Sequence, residues 1–215
     1  PLGRCAPSLR AAAHAPTVSQ PFYESKCDMD TKTAFSLLQK SLKDLCDAFN
    51  KGEFFPLLEA DVAAYLYHRL LENGCPLSEI YNETRLCGLP RGERKFDLVI
   101  GTVDTDLGCV QPVLITQIKA FQRWGFSHQQ YKRRFEGIIS EDIESLKQAS
   151  RILRDGRVEV IADFVFTLQS AGYLNGMWDK RQRRDVLVEL CKGASVSLFW
   201  ARPNRQGEME VEQLV

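Results

Sequence analysis

Between Ala34 and Phe49 the apolar residues Ala34, Phe35, Leu38, Leu42, Leu45 and Phe49 recur at threes and fours, which is the stripe of an amphipathic helix. A second helix is predicted from about Pro56 to Glu72, with Leu58, Val62, Leu66 and Leu70 as its buried stripe and Asn73-Gly74 as a left-handed terminator. The period then falls to two. Residues 80–86, 95–101 and 111–121 read as three strands, separated by Gly-Leu-Pro-Arg-Gly and Asp-Thr-Asp-Leu-Gly turns. Helical spacing returns over residues 140–153, with Ile143, Leu146 and Leu153 on one face, and Asp155-Gly156 ends it. Residues 158–168 are apolar on both faces, as in a buried central strand. A further helix from about Trp178 to Lys192 and a strand over 195–200 complete the order α-α-β-β-β-α-β-α-β. That order implies a mixed sheet, antiparallel at its beginning and built through helical crossovers afterward.

Residues 1–30 do not fit a packed element. They hold Pro1, Pro7, Pro16 and Pro21, an alanine run, Arg4 and Arg10, and no acid before Glu24, a composition that cannot bury enough apolar surface to fold by itself. They read as a flexible arm, a cloning remnant or the acid-poor beginning of a targeting segment. With no Met at position 1, the chain is expected to be trimmed or to lack an upstream part. Residues 31–215 are expected to form a single domain.

Composition narrows the class. The chain has 215 residues, 44% apolar and 26% charged, which fits one globular domain and excludes a collagen, a disordered chain or a mini-protein. Twenty-eight Lys and Arg balance twenty-eight Asp and Glu, so affinity for nucleic acid must come from local clusters. No apolar run approaches the ~18 residues of a spanning helix, and a soluble protein with no membrane contact is expected. The seven cysteines lack any C-x-x-C pair. They read as reduced thiols of an intracellular, cytoplasmic protein, with Cys46 and Cys191 acting as small hydrophobes. His14, His68 and His128 are scattered, which argues against a zinc hydrolase.

Four residues break the apolar patterns. On the third strand a period of two puts Val113, Ile115, Gln117, Lys119 and Phe121 on one face, so Gln117 and Lys119 interrupt an apolar row. An ammonium there needs an anion, a metal-bound partner or an opening to water. On the second strand Phe96, Leu98 and Ile100 share a face, and Asp97 points the other way beside Val99. On the second helix Glu59 stands three before Val62 and seven before Leu66, an acid aimed toward the core. Each has a plainer reading: Asp97 and Lys119 as a cross-strand ion pair, Glu59 as a solvated acid at a helix start. Together they suggest convergence on one site.

A helix bearing Glu59, a meander carrying Asp97 in Lys95-Phe96-Asp97-Leu98-Val99-Ile100, and Ile115-Thr116-Gln117-Ile118-Lys119-Ala120-Phe121 on the third strand resemble the PD-(D/E)XK nuclease superfamily. The resemblance covers roughly residues 54–200; Asn82-Glu83-Thr84-Arg85 and the segment from Ser140 to Leu146 also look like bacterial relatives of it. It implies an α/β, restriction-endonuclease-like αβββαβ core, a mixed central sheet flanked by helices. It also implies hydrolysis of phosphodiester bonds, in DNA first and RNA as an alternative, with Mg2+ or Mn2+ as cofactor. Asp97 would be the main metal ligand, Gln117 the second and the main-chain carbonyl of Ile118 a third. Lys119 would orient or deprotonate the attacking water, and Glu59 would hold metal-bound water. Many relatives act as homodimers.

Gln117 departs from the family's usual Asp or Glu, bringing an amide oxygen without charge. Glu59 or Glu83 could replace that charge if the fold brings either close. The rival expectation is an inert domain of the same fold that binds nucleic acid or a protein partner. Arg123, Lys132, Arg133 and Arg134, with Trp124, Phe126 and Tyr131 among them, follow the third strand and offer phosphate and stacking contacts.

Overall fold

The computed structural model describes residues 29–56, 59–89, 95–120, 141–149, 159–164, 181–194, 196–204 and 206–215. Helix α1 spans Thr31–Asn50, and the Asp30 carboxylate caps it by accepting the Thr33 N–H at 2.6 Å. Helix α2 spans Glu59–Glu72 and ends at Gly74, whose φ of +102° only glycine adopts readily. There Gly74 N–H donates to Leu71 O and Cys75 N–H to Leu70 O, so the last turn's carbonyls are satisfied. A 3-10 turn, Leu77–Glu79, leads into β1, Ile80–Thr84. Strand β2 is Phe96–Asp104 and β3 is Cys109–Ala120. Helix α3 is described over 141–149, followed by β4 (Glu159–Phe164), α4 (Arg181–Ala194), β5 (Ser197–Pro203) and β6 (Met209–Gln213).

The strands form one six-stranded mixed sheet in chain order. Strands β1, β2 and β3 pair antiparallel; β3, β4 and β5 pair parallel; β6 returns antiparallel on β5. Among the described residues the expected element order is found, with β6 added. Its signal was present in the alternation of Met209 and Val211 after the Asn204–Gly207 turn. Side chains alternate across the sheet and divide the core into two layers. On one side Leu38, Leu42 and Leu45 of α1 and Val62, Leu66 and Leu70 of α2 pack on Ile80, Leu98, Ile100, Leu114 and Ile118. On the other Ile143, Leu146 and Ala149 of α3 and Cys191 and Ala194 of α4 pack on Val99, Ile115, Leu198 and Trp200.

Two polar clasps tie α1 to its surroundings. The Asp44 carboxylate accepts from Arg69 Nη2 at 2.9 Å and Asn73 Nδ2 at 3.1 Å, joining α1 to α2. Burial pushes the Asp44 pKa up, but the bonds from Asn73 and Arg69 outweigh it and hold the carboxyl below its ordinary value. At the other end Asn50 donates through Nδ2 to Met209 O at 2.8 Å and accepts Met209 N–H through Oδ1 at 2.6 Å.

Two expectations are corrected. Cys87 and Cys109 form a disulfide, with Cα atoms 5.1 Å apart, so the cysteines are not seven reduced thiols. Val110 donates to Arg85 O and accepts from Cys87 N–H, and this short parallel bridge brings the two sulfurs together. Cys46, Cys75 and Cys191 are buried thiols. Burial pushes Cys46 up to about 12 and Cys75 up to about 11, which leaves both unreactive. Second, Glu59 is exposed rather than aimed at the core. It is the first residue of α2, where solvent is still accessible and the helix dipole favours an acid. Residues 1–28 lie outside the described residues, and no helix among those described is long and apolar enough to cross a membrane.

Gly101 marks a shift in the β2–β3 register, where Ile100 pairs Leu114 but Gly101 pairs Pro112. A Cβ at Gly101 would meet Gln111 O and stand 2.9 Å from Pro112 Cα. Gly101→Ala is therefore expected to cost about 3 kcal/mol or more, read as a fall in the urea unfolding midpoint at unchanged slope. The disulfide is expected to contribute about 2–4 kcal/mol. Thiol titration of the unfolded protein should find two fewer thiols than after reduction, and Cys87→Ser should lower the melting temperature only under oxidising conditions.

Candidate active site at the β2–β3 fork

Strand β3 serves two partners in succession. Its pairing with β2 runs from Cys109 to Thr116, the last matched pair being Leu98 with Thr116. Its pairing with β4 begins at Ile115 and continues to Ala120. One residue beyond the last β2 pair, the main-chain ladder gives way to side chains. Asp97 N–H donates to Gln117 Oε1 at 3.0 Å, and Ile118 N–H donates to Asp97 Oδ2 at 2.6 Å. Each side chain thus accepts the hydrogen bond that a backbone carbonyl would otherwise take. The second bond is short, as expected for a charged acceptor.

These two bonds bring Asp97 and Gln117 together, as the sequence pattern suggested. Gln117 is 4% exposed, and Asp97 is half-buried. Because Oε1 accepts an N–H, the orientation of the Gln117 amide is set, with Nε2 turned away from Asp97 N. Strict alternation does not hold around them. Phe96 packs with Val99 in the α3/α4 layer while Leu98 and Ile100 pack in the other, and Val113 packs in the layer opposite Ile115. The expected common faces of Phe96, Leu98 and Ile100 and of Val113 and Ile115 are therefore corrected. Glu59 is exposed at the first residue of α2, whose Val62, Leu66 and Leu70 are buried.

Lys119 lies two positions beyond Gln117 on β3, in register with Asp163 of β4, which in turn pairs with Trp200 of β5. The lysine's side chain and that of Asp163 lie outside what is described. Asp142 lies in the segment from Ser140 to Leu146. It is 1% exposed at the start of the described part of α3, beside Ile143, which packs in the second layer. Its burial is legible in the helical spacing, since Asp142, Leu146 and Ala149 fall at i, i+4 and i+7. Arg123, Lys132, Arg133 and Arg134 lie outside the described residues.

As a donor set for a divalent cation, the fork supplies hard oxygens: one carboxylate, one amide and neighbouring main-chain carbonyls. That fits Mg2+ or Mn2+ in kind, with a single formal negative charge. Among the described residues no group of three or more His, Cys, Asp or Glu side chains gathers as a metal site. Compared with known proteins, the chain matches no family model, no curated protein and no solved structure.

Removing the Asp97 acceptor should leave the Ile118 amide unsatisfied inside the sheet. Asp97→Ala is expected to destabilise the domain by about 1–3 kcal/mol. Asp97→Asn, whose amide oxygen can accept the same N–H, should retain most of that stability in urea unfolding.

Proposed function

We propose that the chain is a restriction-endonuclease-like domain that hydrolyses phosphodiester bonds, DNA before RNA, with a divalent cation. Carrying this reading is the crossed pair of hydrogen bonds that joins Asp97 to Gln117 and Ile118, with Lys119 next on the same strand. The strand order supports it as well. An antiparallel meander continued through helices into parallel strands is the arrangement that the αβββαβ core implies.

Asp97, the Ile118 carbonyl and the remaining lone pair of Gln117 Oε1 would hold the cation. Bound there, Mg2+ or Mn2+ polarises a phosphoryl oxygen and lowers the pKa of a coordinated water. Lys119 orients or deprotonates the attacking water and offsets charge that develops on the phosphoryl group. Asp97 contributes the one formal charge, so cation affinity is weak and activity should demand a high metal concentration. Glu59 takes no part in this proposal.

The second reading is an inert domain of the same fold that grips nucleic acid. The neutral Gln117, its oxygen already accepting a main-chain N–H, favours it. Nicking of supercoiled plasmid separates the two. With Mn2+ or millimolar Mg2+ the wild type is expected to nick DNA, and Asp97→Asn and Lys119→Ala should each lower the rate by about 100-fold or more. Gln117→Glu should raise the rate at low Mg2+. DNA retention without metal, and no nicking by either the wild type or Gln117→Glu, would overturn the hydrolytic reading in favour of binding.

A further inference from the structure

We infer that the Cys87–Cys109 disulfide is a thiol-exchange site clasping a hinged flap, the far end of the β2–β3 hairpin. A dithiol opens the clasp by attack at the Cys87 sulfur. This goes beyond the proposed hydrolysis and does not rest on it.

The flap follows from two sets of pairings. Thr84 of β1 faces Phe96 at the start of β2, yet Leu86, two positions later, bridges Val110, which faces Val103 near the other end of β2. On a straight strand Val103 would stand about 23 Å from Phe96, whereas two residues of chain span at most about 7 Å. The hairpin therefore folds back onto the loop that follows β1. It bends where the register shifts between Ile100 and Gly101, as strands do at a bulge. Opposite Gly101 stands Pro112, which has no N–H to give the ladder. Beyond the bend the tip is tied to itself. Asp104 Oδ1 accepts from Asp106 N–H at 3.0 Å and from Leu107 N–H at 2.9 Å, and Gly108 N–H donates to Asp104 O. Residues 102–111 can thus swing as one piece about Gly101 and Pro112.

Among the described residues, three hydrogen bonds and the disulfide hold the flap to the loop. Val110 N–H donates to Arg85 O and Cys87 N–H to Val110 O, each at 2.9 Å, and Arg85 Nη2 donates to Leu107 O at 2.8 Å. Leu86, Phe96 and Val110 are buried together there, and Phe96 directly precedes Asp97 of the fork. The two sulfurs differ in access. Cys109 is 3% exposed, whereas Cys87 is half-buried. A thiolate therefore reaches the Cys87 sulfur; the S–S bond breaks, and Cys109 leaves as a thiolate that takes up a proton. The dithiol's second thiol then displaces Cys87, which is protonated in turn. Two electrons pass to the protein, and the dithiol becomes a disulfide.

The full chain is treated with dithiothreitol without denaturant, and amide exchange is followed by NMR. The Cys87–Cys109 bond should open in the folded protein, and the Cys87 and Val110 amides should exchange about tenfold or more faster, with Phe199 and Ala201 of β5 unchanged. With reduced glutathione in place of the dithiol, peptide mapping should find the mixed disulfide on Cys87. Absence of the bond from protein purified without reductant would overturn the inference, as would its reduction only after urea unfolds the chain. Flap amides indifferent to reduction, an acceleration shared equally by β5, or a glutathione adduct on Cys109 would each overturn it as well.

Discussion

A strand that changes partners leaves backbone groups without a ladder, and β3 does so at residues 116–118. Leaving β2 and continuing on β4, it would strand the N–H groups of Asp97 and Ile118 at the divergence. The crossed bonds through Asp97 Oδ2 and Gln117 Oε1 close that gap. Both positions therefore require an acceptor oxygen before any chemistry is considered. An amide meets this demand as well as a carboxylate would, so an acid at position 117 can be exchanged for Gln without disturbing the sheet. Fold and charge at that residue are separable, which explains how a well-formed fork can carry so little formal charge.

Much of this architecture can be read from periodicity. Leu38, Leu42 and Leu45 announce α1, Asn73-Gly74 stops α2, and the change to a period of two marks the meander. Asp97 and Gln117 each interrupt an apolar row of their own strand, which suggested that they converge, and two hydrogen bonds join them. What periodicity does not carry is how a segment's end differs from its middle. Glu59 satisfies the i, i+3, i+7 rule for the buried stripe of α2, yet it opens the helix, where the turn has not reached the core. Its stripe position is nominal, and its exposure follows from the boundary.

Other features depend on contacts distant in sequence or on single dihedral angles. Cys87 and Cys109 are separated by 22 positions with no motif between them, and only the bridge of Leu86 to Val110 makes them neighbours. The left-handed backbone at Glu83 rests on a single dihedral angle that its residue type does not announce. Strand β6 is the opposite case: its alternation was visible, but only five residues after a Gly-containing turn, where a short segment is easily left as coil. The exposed carboxylate at Glu59 and the buried one at Asp142 together show that patterning fixes which face a residue occupies more securely than how deeply it sits.

The Asn50 side chain has a consequence for how molecules of this protein meet one another. By donating to Met209 O and accepting from Met209 N–H, it offers β6 the same two contacts that an adjoining strand would make. Strand β6 is the last in the sheet, and an uncovered terminal strand invites another chain to add to it. One amide at the end of α1 thus occupies the main-chain N–H and carbonyl of Met209 that an added strand would use.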